Sequence, residues 1–424
     1  MIKKSAIIIG GGVIGAFTAY QLLNKGWQVT IVDKGRFGEG CSEGNCGLIV
    51  PNHILPLNAS GTLFKTIRGM LLKDAPLYVK PRIDLNLFNW FYRFSRNCGQ
   101  RNVLASARGR HALLQSSFGL YPSIVEKEQL DCNWEVGGSL HVFRTAKEWR
   151  AYGAVDAVLR KFGIAAEKLN RDRLLHLEPG LSPDLVGGWH YNQTAHLWPE
   201  RLLEALRRLL TKKGANIIED AEATGFETRN GHAEGVRAGG KIIAGHAFVV
   251  AAGAWTPQLQ QELGCRIPIQ PGKGYALTTT RPLAAPSRPC FFEEKSVVAT
   301  PWTDGFRLGG TMEFSGFDDS LNPKRLKALS NGAAQYMPGI TAGAVEKEWC
   351  GFRPMTYDGL PIIDQSPRLK NVTIAAGHNM MGISMGPGTG KLVAEMINRE
   401  TPHIDPRPYS LERFSRTGFE KTST

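Results

Sequence analysis

The chain has 424 residues, 42% hydrophobic and 21% charged, with a formal net charge of +13. That length can bury a large core and suits two domains, and the composition excludes disorder as the default state. Seven scattered cysteines with no CxxC pair, and ten histidines without metal-ligand spacing, argue against a disulfide framework, a structural zinc and any metal site.

Residues 6–9 predict a short buried strand, Gly10-x-Gly12-x-x-Gly15 a tight turn that opens a helix, and residues 29–32 the next strand, ending on Asp33. The glycines let the backbone approach a pyrophosphate, and the helix N-terminus, beginning at Val13 and Ile14, offers it free amides. Asp33 stands where a carboxylate accepts both ribose hydroxyls and repels a 2′-phosphate. The stretch 1–33 therefore predicts a dinucleotide site. The apolar run 6–23 raises the question of a membrane span or signal peptide, but three adjacent glycines and the following strand argue against both, and the chain is expected to be cytoplasmic.

After Lys34 comes a small-residue loop, Ser42-Glu43-Gly44-Asn45-Cys46-Gly47-Leu48, suited to lie against a bulky ligand, and Val50-Pro51-Asn52-His53 ends it. Residues 60–115 read as helices and carry most of the excess charge. Ten cations (Lys65, Arg68, Lys73, Lys80, Arg82, Arg93, Arg96, Arg101, Arg108, Arg110) face only Asp74 and Asp84 there. Interleaved with the apolar 69–72 and aromatic 87–94, they suit an anionic membrane surface, or equally a solvated helical face whose aromatics are core. No nucleic-acid module is present.

Further on, 107–128 predicts a helix, 136–143 a strand, 145–162 an amphipathic helix capped by Thr145, and 186–191 a strand. Residues 199–213 form a helix with Leu202, Leu203, Leu206, Leu209 and Leu210 on one face. A β-meander follows over 223–244, then the apolar strand 247–255, whose Ala252-Gly253-Ala254-Trp255 ending leaves room for a ligand at its carboxyl edge. Strands at 274–280, 296–301 and 305–310 predict an antiparallel sheet, hence a second domain, and 323–336 returns to helix. Finally 372–378 predicts a strand into a turn, then a second Gly-rich loop ahead of a helix over 391–398. The tail after Pro402 reads as peripheral.

In this order, Gly10-x-Gly12-x-x-Gly15 with Asp33, Ser42-x-x-Asn45-x-Gly47, Ala252-Gly253-Ala254-Trp255, Gly351-Phe352-Arg353-Pro354-x-x-x-Asp358-Gly359-x-Pro361 and Gly377-His378 through Gly390 span nearly the whole chain. The pattern resembles the FAD-dependent D-amino-acid dehydrogenase, glycine oxidase and sarcosine oxidase family, and the length favours the dehydrogenase branch. Asp33 replaces the glutamate common in that family and keeps its carboxylate. The resemblance implies a mixed fold: an α/β Rossmann-like FAD-binding domain, and an inserted α+β substrate domain built on an antiparallel sheet. Residues 1–58, 196–255 and 346–405 would make the first, and 59–195 with 256–345 the second.

The resemblance further implies non-covalent FAD. Gly10, Gly12, Val13, Ile14 and Gly15 would hold its pyrophosphate, Asp33 and Lys34 its ribose end, Ser42, Asn45, Gly47 and Leu48 the pyrophosphate and flavin, and Ala223 the adenine. Ala252, Gly253, Trp255, Gly377, Met381, Gly382 and Ile383 would complete the site, with the last block aimed at the pyrimidine edge of the flavin. Cys350 lies near the position where sarcosine oxidases tether flavin but is offset by a residue, so no tether is expected. Arg353 would bind an amino-acid carboxylate through its fork. Tyr275 would offer the same carboxylate a hydroxyl, and His53 or His378 would meet the substrate amine or flavin.

These expectations describe oxidative deamination of a small amino acid, most of all a D-amino acid or D-proline derivative, by hydride transfer from the α-carbon. Reoxidation by a membrane quinone would give the basic-aromatic segment a purpose at the inner face of the cell membrane. Three rivals share part of the pattern: an oxygen-using amine oxidase, an NAD-dependent dehydrogenase, and a non-catalytic flavin-binding or membrane-adaptor protein.

Overall fold

Alternating strands and helices at the N-terminus commit the chain to a parallel sheet. The computed structural model describes residues 4–59, 77–340 and 343–415. Strand β1 (Ser5–Ile9) is followed by helix α1 (Val13–Asn24) and strand β2 (Gln28–Val32). β1 is the centre of a six-stranded sheet in the order Ile362–Gln365, Val372–Ala376, Ala247–Val250, β1, β2, Asn216–Ile218, parallel except for its first strand. Both faces of β1 are covered, as its unbroken apolar run requires. Ala6 and Ile8 pack under α1 and the helix Pro199–Lys212, while Ile7 and Ile9 pack against the meander Ala223–Arg229, His232–Ala238, Lys241–Ala244.

A nine-stranded sheet makes the second body. Its order runs Val345–Thr356, Ile269–Thr280, Gly305–Phe314, Val297–Pro301, Cys290–Phe292, Ser139–Phe143, Gly187–Tyr191, Glu167–Asn170, and Leu77–Val79 joins at Phe314. The pairing is antiparallel, as expected, except where Cys290–Phe292 meets Ser139–Phe143 and Leu77–Val79 meets Gly305–Phe314. One face is closed by the helix Pro323–Ala334 over Leu140, Cys290, Phe292, Leu308 and Leu277. The other face turns toward the six-stranded domain.

Several expectations change. The strand Val345–Thr356, assigned from residue 346 to the cofactor domain, is an edge of the large sheet, so the chain crosses between domains at 357–361. The helix Gln100–Lys127, assigned to the substrate domain, packs on the cofactor domain: Tyr121 Oη donates to the Ile383 carbonyl at 2.6 Å, and Ser117 Oγ accepts from the Gly388 amide at 2.9 Å. The predicted helix 145–162 is two, Ala146–Ala151 and Gly153–Arg160, broken where Gly153 begins the second. The Gly-rich stretch before residue 391 is itself helix, Gly382–Asn398, because its glycines let it press on α1: a Cβ on Gly390 would come within 2.5 Å of the Phe17 backbone.

Within the tail, the described residues 403–415 are packed on the domain. Tyr409 is buried and donates to the Gly109 carbonyl, and Arg413 pairs with Asp358 at 2.7 Å. In the basic-aromatic segment, 60–76 lies outside the described residues. The helix Leu85–Arg96 that follows turns Leu87 and Trp90 inward onto Phe314, Met355 and Tyr357. Leu85, Phe88 and Tyr92 face outward.

Candidate active site

A cleft runs along the carboxyl ends of the parallel strands. It is lined by Gly10, Gly12, Val13, Ile14, Asp33, Lys34, Ser42, Asn45, Ala223, Ala252, Gly253, Trp255, Gly382 and Ile383, all expected there from the sequence. Gly10 has φ +112°, and a Cβ on it would stand 2.4 Å from the Ala251 carbonyl oxygen, so only glycine lets β1 end against its neighbour. Asp33 is pinned at the cleft wall: one carboxylate oxygen accepts from the Gly11 amide at 2.6 Å, the other from Gly35 at 2.9 Å. Burial raises its carboxyl above the ordinary range in spite of those bonds.

Two helices point their N-termini at this cleft. Neither Gly12, before α1, nor Met381, before Gly382–Asn398, closes the first turn with its own side chain; the Val13 amide of α1 donates to Ser42 Oγ at 3.2 Å, and the positive dipole ends of both helices face the opening. The Lys34 ammonium sits 3.6 Å from the Trp255 ring centroid, closing the end beyond Asp33.

Five expected contacts stand behind the wall instead of in it. Gly15 takes the helix against Gly10, where a Cβ would meet the Gly10 carbonyl at 1.9 Å. Gly47 (φ +70°) passes the Leu197 carbonyl, Leu48 pairs with His196 in a two-residue strand, Gly377 (φ +80°) clears Thr356, and Met381 is buried. His378 reaches the cleft, but its Nε2 lies 3.0 Å from Thr389 Oγ1 inside the domain, and burial pushes the ring down to about 3. Burial therefore favours its neutral form.

Arg353 is not itself among the residues that line the cleft, which its strand reaches through Phe352 and Pro354; its side chain lies on the face of the nine-stranded sheet turned toward the loop 41–46. Gly272 stands opposite it on the neighbouring strand, and its guanidinium fills the space a Cβ on Gly274 would take, 2.2 Å from Cζ. Nη1 donates to the Thr311 carbonyl at 2.6 Å and Nη2 to Gly310 at 3.4 Å; no carboxylate pairs with it among the described residues. Burial lowers its pKa, although Cys41 and Cys46 lie close enough to oppose that shift.

Tyr275 does not join it. Its partner in the ladder is Cys350, one residue out of phase with Gly274, so both point to the opposite face. There the Tyr275 hydroxyl donates to Glu313 at 3.0 Å, and Cys350 contacts the Asp319 carbonyl, away from the cleft. His53 is beside the face that carries Arg353, with its ring 4.7 Å from that of Phe291 and its carbonyl bonded to Arg110 at 2.8 Å.

Arg307 was not among the residues expected at the site. It shares the face that carries Arg353 and holds the loop 43–45 by donating to the carbonyls of Glu43 (3.0 Å) and Asn45 (2.8 Å), with Glu200 at 2.5 Å. An arginine spaced two residues before Gly309 on an alternating strand was the available signal.

A family model described as FAD dependent oxidoreductase matches residues 5–396. The chain belongs to that family. D-amino acid dehydrogenase 1 of Mesorhizobium japonicum is 30% identical over 417 residues, 96% of this chain and 99% of the relative. D-amino acid dehydrogenase of Xanthobacter autotrophicus is 31% identical over 422 residues, with the same coverage. Among solved structures, glycine oxidase from Geobacillus kaustophilus shares the fold at TM-score 0.78 and 23% identity over 96% of this chain and 99% of that one. L-proline dehydrogenase from P. horikoshii does so at 0.75 and 20%, over 99% of each.

FAD, the cofactor of this family of oxidoreductases, suits the residues present. A carboxylate fixed at the end of β2 matches a ribose diol, and a glycine turn under a helix N-terminus matches a pyrophosphate. A second helix N-terminus at the far end matches a ring edge that gains negative charge.

Proposed function

We propose that this oxidoreductase oxidises a small α-amino acid, a D-amino acid foremost, at its Cα–N bond, giving an imino acid that water converts to a 2-oxo acid and ammonia. The observation that carries the reading is Arg353, a cation beside the loop 41–46 whose only bonds go to two backbone carbonyls among the described residues. Two relatives named D-amino acid dehydrogenase support the stereochemical part.

The chemistry FAD supplies when bound is acceptance of a hydride. The chain's own residues bind and orient. Arg353 takes the substrate carboxylate on its fork, and two parallel bonds leave the α-carbon a single direction. The N-terminus of Gly382–Asn398 favours negative charge at that end of the cleft. His378 has Nε2 against Thr389, and burial holds its ring neutral; an amine that has already lost its ammonium proton needs no side-chain base.

We extend the reading to a membrane quinone as electron acceptor. Ile83, Leu85, Phe88 and Tyr92 are exposed beside Arg82, Arg93 and Arg96, a mixture that suits an anionic bilayer surface. Among the described residues no helix is long and apolar enough to cross a membrane. The deciding experiment is anaerobic bleaching of bound FAD by a panel of D- and L-amino acids, proline derivatives, glycine and sarcosine. Bleaching by D-amino acids supports the class, and peroxide formed on admitting air would replace the quinone with oxygen. A yellow protein that no member bleaches overturns the reading.

A further inference from the structure

The face that carries Arg353 also carries a second polar group that the reaction does not use. Ladder partners fix the phase: Ala276, two residues beyond Gly274, faces Gly309; Gly309 faces Val298; Val298 faces Phe291; and Phe291 faces His141. Residues paired across a sheet share a face, so Arg353 and His141 look the same way. The Arg353 guanidinium already reaches the Gly305–Phe314 strand through Thr311 and Gly310. From that strand to those of Phe291 and His141 is two to three strand spacings, roughly 10–14 Å. An amino acid held by its carboxylate at Arg353 can therefore extend its side chain toward this group.

His141 is held in one orientation. Its ring stacks on Phe291 (centroids 4.4 Å, planes within 4°), and the His53 ring lies 5.6 Å away. Nδ1 lies 2.5 Å from Glu293 Oε1 and 3.2 Å from the Tyr152 hydroxyl. A carboxylate only accepts, so Nδ1 carries the hydrogen, and in the neutral ring Nε2 keeps its lone pair. The side chain is 3% exposed, yet Nε2 has no hydrogen-bonding partner among the described residues. Buried polar atoms are almost always satisfied, so an orphan on the sheet face that carries Arg353 asks for a partner from outside the chain.

We propose that His141, oriented by Glu293, accepts a hydrogen bond from an uncharged donor group, an amide or hydroxyl, on the side chain of the amino-acid substrate. Phe291 and His53, whose rings are 4.7 Å apart, together supply the wall beside it. A side-chain carboxylate is disfavoured, because it offers no donor and the Glu293 carboxylate stands behind the ring. This inference rests on the amino-acid reading above and specifies its side-chain class.

The test uses FAD-loaded enzyme and size-matched pairs: D-asparagine with D-leucine, D-glutamine with D-methionine, D-tyrosine with D-phenylalanine. In the wild type the polar member of at least one pair has the higher kcat/KM, and D-glutamate falls below D-glutamine. His141→Phe keeps the stack on Phe291 and removes the acceptor, so it erases that preference by tenfold or more while the apolar member keeps its kcat. His141→Gln restores an acceptor and recovers part of it, and the absorbance of bound FAD with the melting temperature shows that each variant is folded. If amino acids bleach the flavin but wild type and His141→Phe discriminate the pairs alike, the inference is overturned while the amino-acid reading stands. If no amino acid bleaches it, both fall.

Discussion

Arg353 and Tyr275 lie on strands that are hydrogen-bonded neighbours, yet they point to opposite faces of the sheet: Gly272 faces Arg353 across the ladder and Cys350 faces Tyr275. One side chain lies toward the loop that holds Cys41 and Cys46, and the other is shut in the core with Glu313 and the helix Pro323–Ala334. The two should part company under mutation. Arg353→Leu removes charge-assisted bonds worth about 1.5–3 kcal/mol, so kcat/KM for an amino acid falls by roughly 10- to 150-fold. Tyr275→Phe leaves KM unchanged and lowers stability by about 1 kcal/mol, read from chemical denaturation, because Glu313 loses one donor. A raised KM in Tyr275→Phe would return that hydroxyl to the site.

Gly274 makes room for the guanidinium, which comes within 2.2 Å of where its Cβ would be. Gly274→Ala therefore displaces Arg353 without altering any substrate-binding group. KM should rise about tenfold, a cost near 1.4 kcal/mol, while FAD stays bound and the far-ultraviolet circular dichroism is unchanged. Normal KM in this variant would show that the guanidinium can shift without loss.

The cofactor cleft was legible in the sequence, and the sheet face was not. Gly10, Gly12 and Asp33 act through backbone geometry within one strand–turn–helix unit, so local spacing is enough to place them. Arg353 was named from its Gly-Phe-Arg-Pro motif, whereas the placing of Tyr275, Arg307 and His141 depends on which residue stands opposite which, across strands far apart in sequence. With a side-chain period of two, an error of one residue in register exchanges the faces. The glycines at 386–390 misled for a related reason. Glycine serves an anion-binding loop and a tight helix crossing equally well, and only the nearness of Phe17 tells which use applies.

Arg307 tests whether the loop 41–47 matters for the cofactor. It ties Glu43 and Asn45 to the large sheet, and Ser42 in the same loop accepts from the Val13 amide at the start of α1 at 3.2 Å. Arg307→Met keeps the apolar stem and removes the donors. The loop should loosen, FAD should dissociate more readily in a fluorescence titration, and stability should drop by about 1.5–3 kcal/mol. An unchanged FAD affinity with the stability loss alone would make Arg307 a purely structural tie.

Buried histidines should make the fold sensitive to acid. His378 is held down to about 3 and His196 to about 4 by burial, against 6.5 for an exposed ring. A folded pKa below the unfolded one means that the unfolded chain binds the proton first. The stability these neutral rings contribute is therefore complete above pH 6.5 and declines as pH falls from there toward 4 and then 3. Urea unfolding at pH 7.5, 6 and 5 should show a steady loss. His378→Gln, which keeps a hydrogen-bonding group near Thr389 but cannot take up the proton, should lower stability at pH 7.5 and flatten the slope between pH 6 and 5. A slope unchanged in that variant would assign the acid sensitivity to His196 and other groups instead.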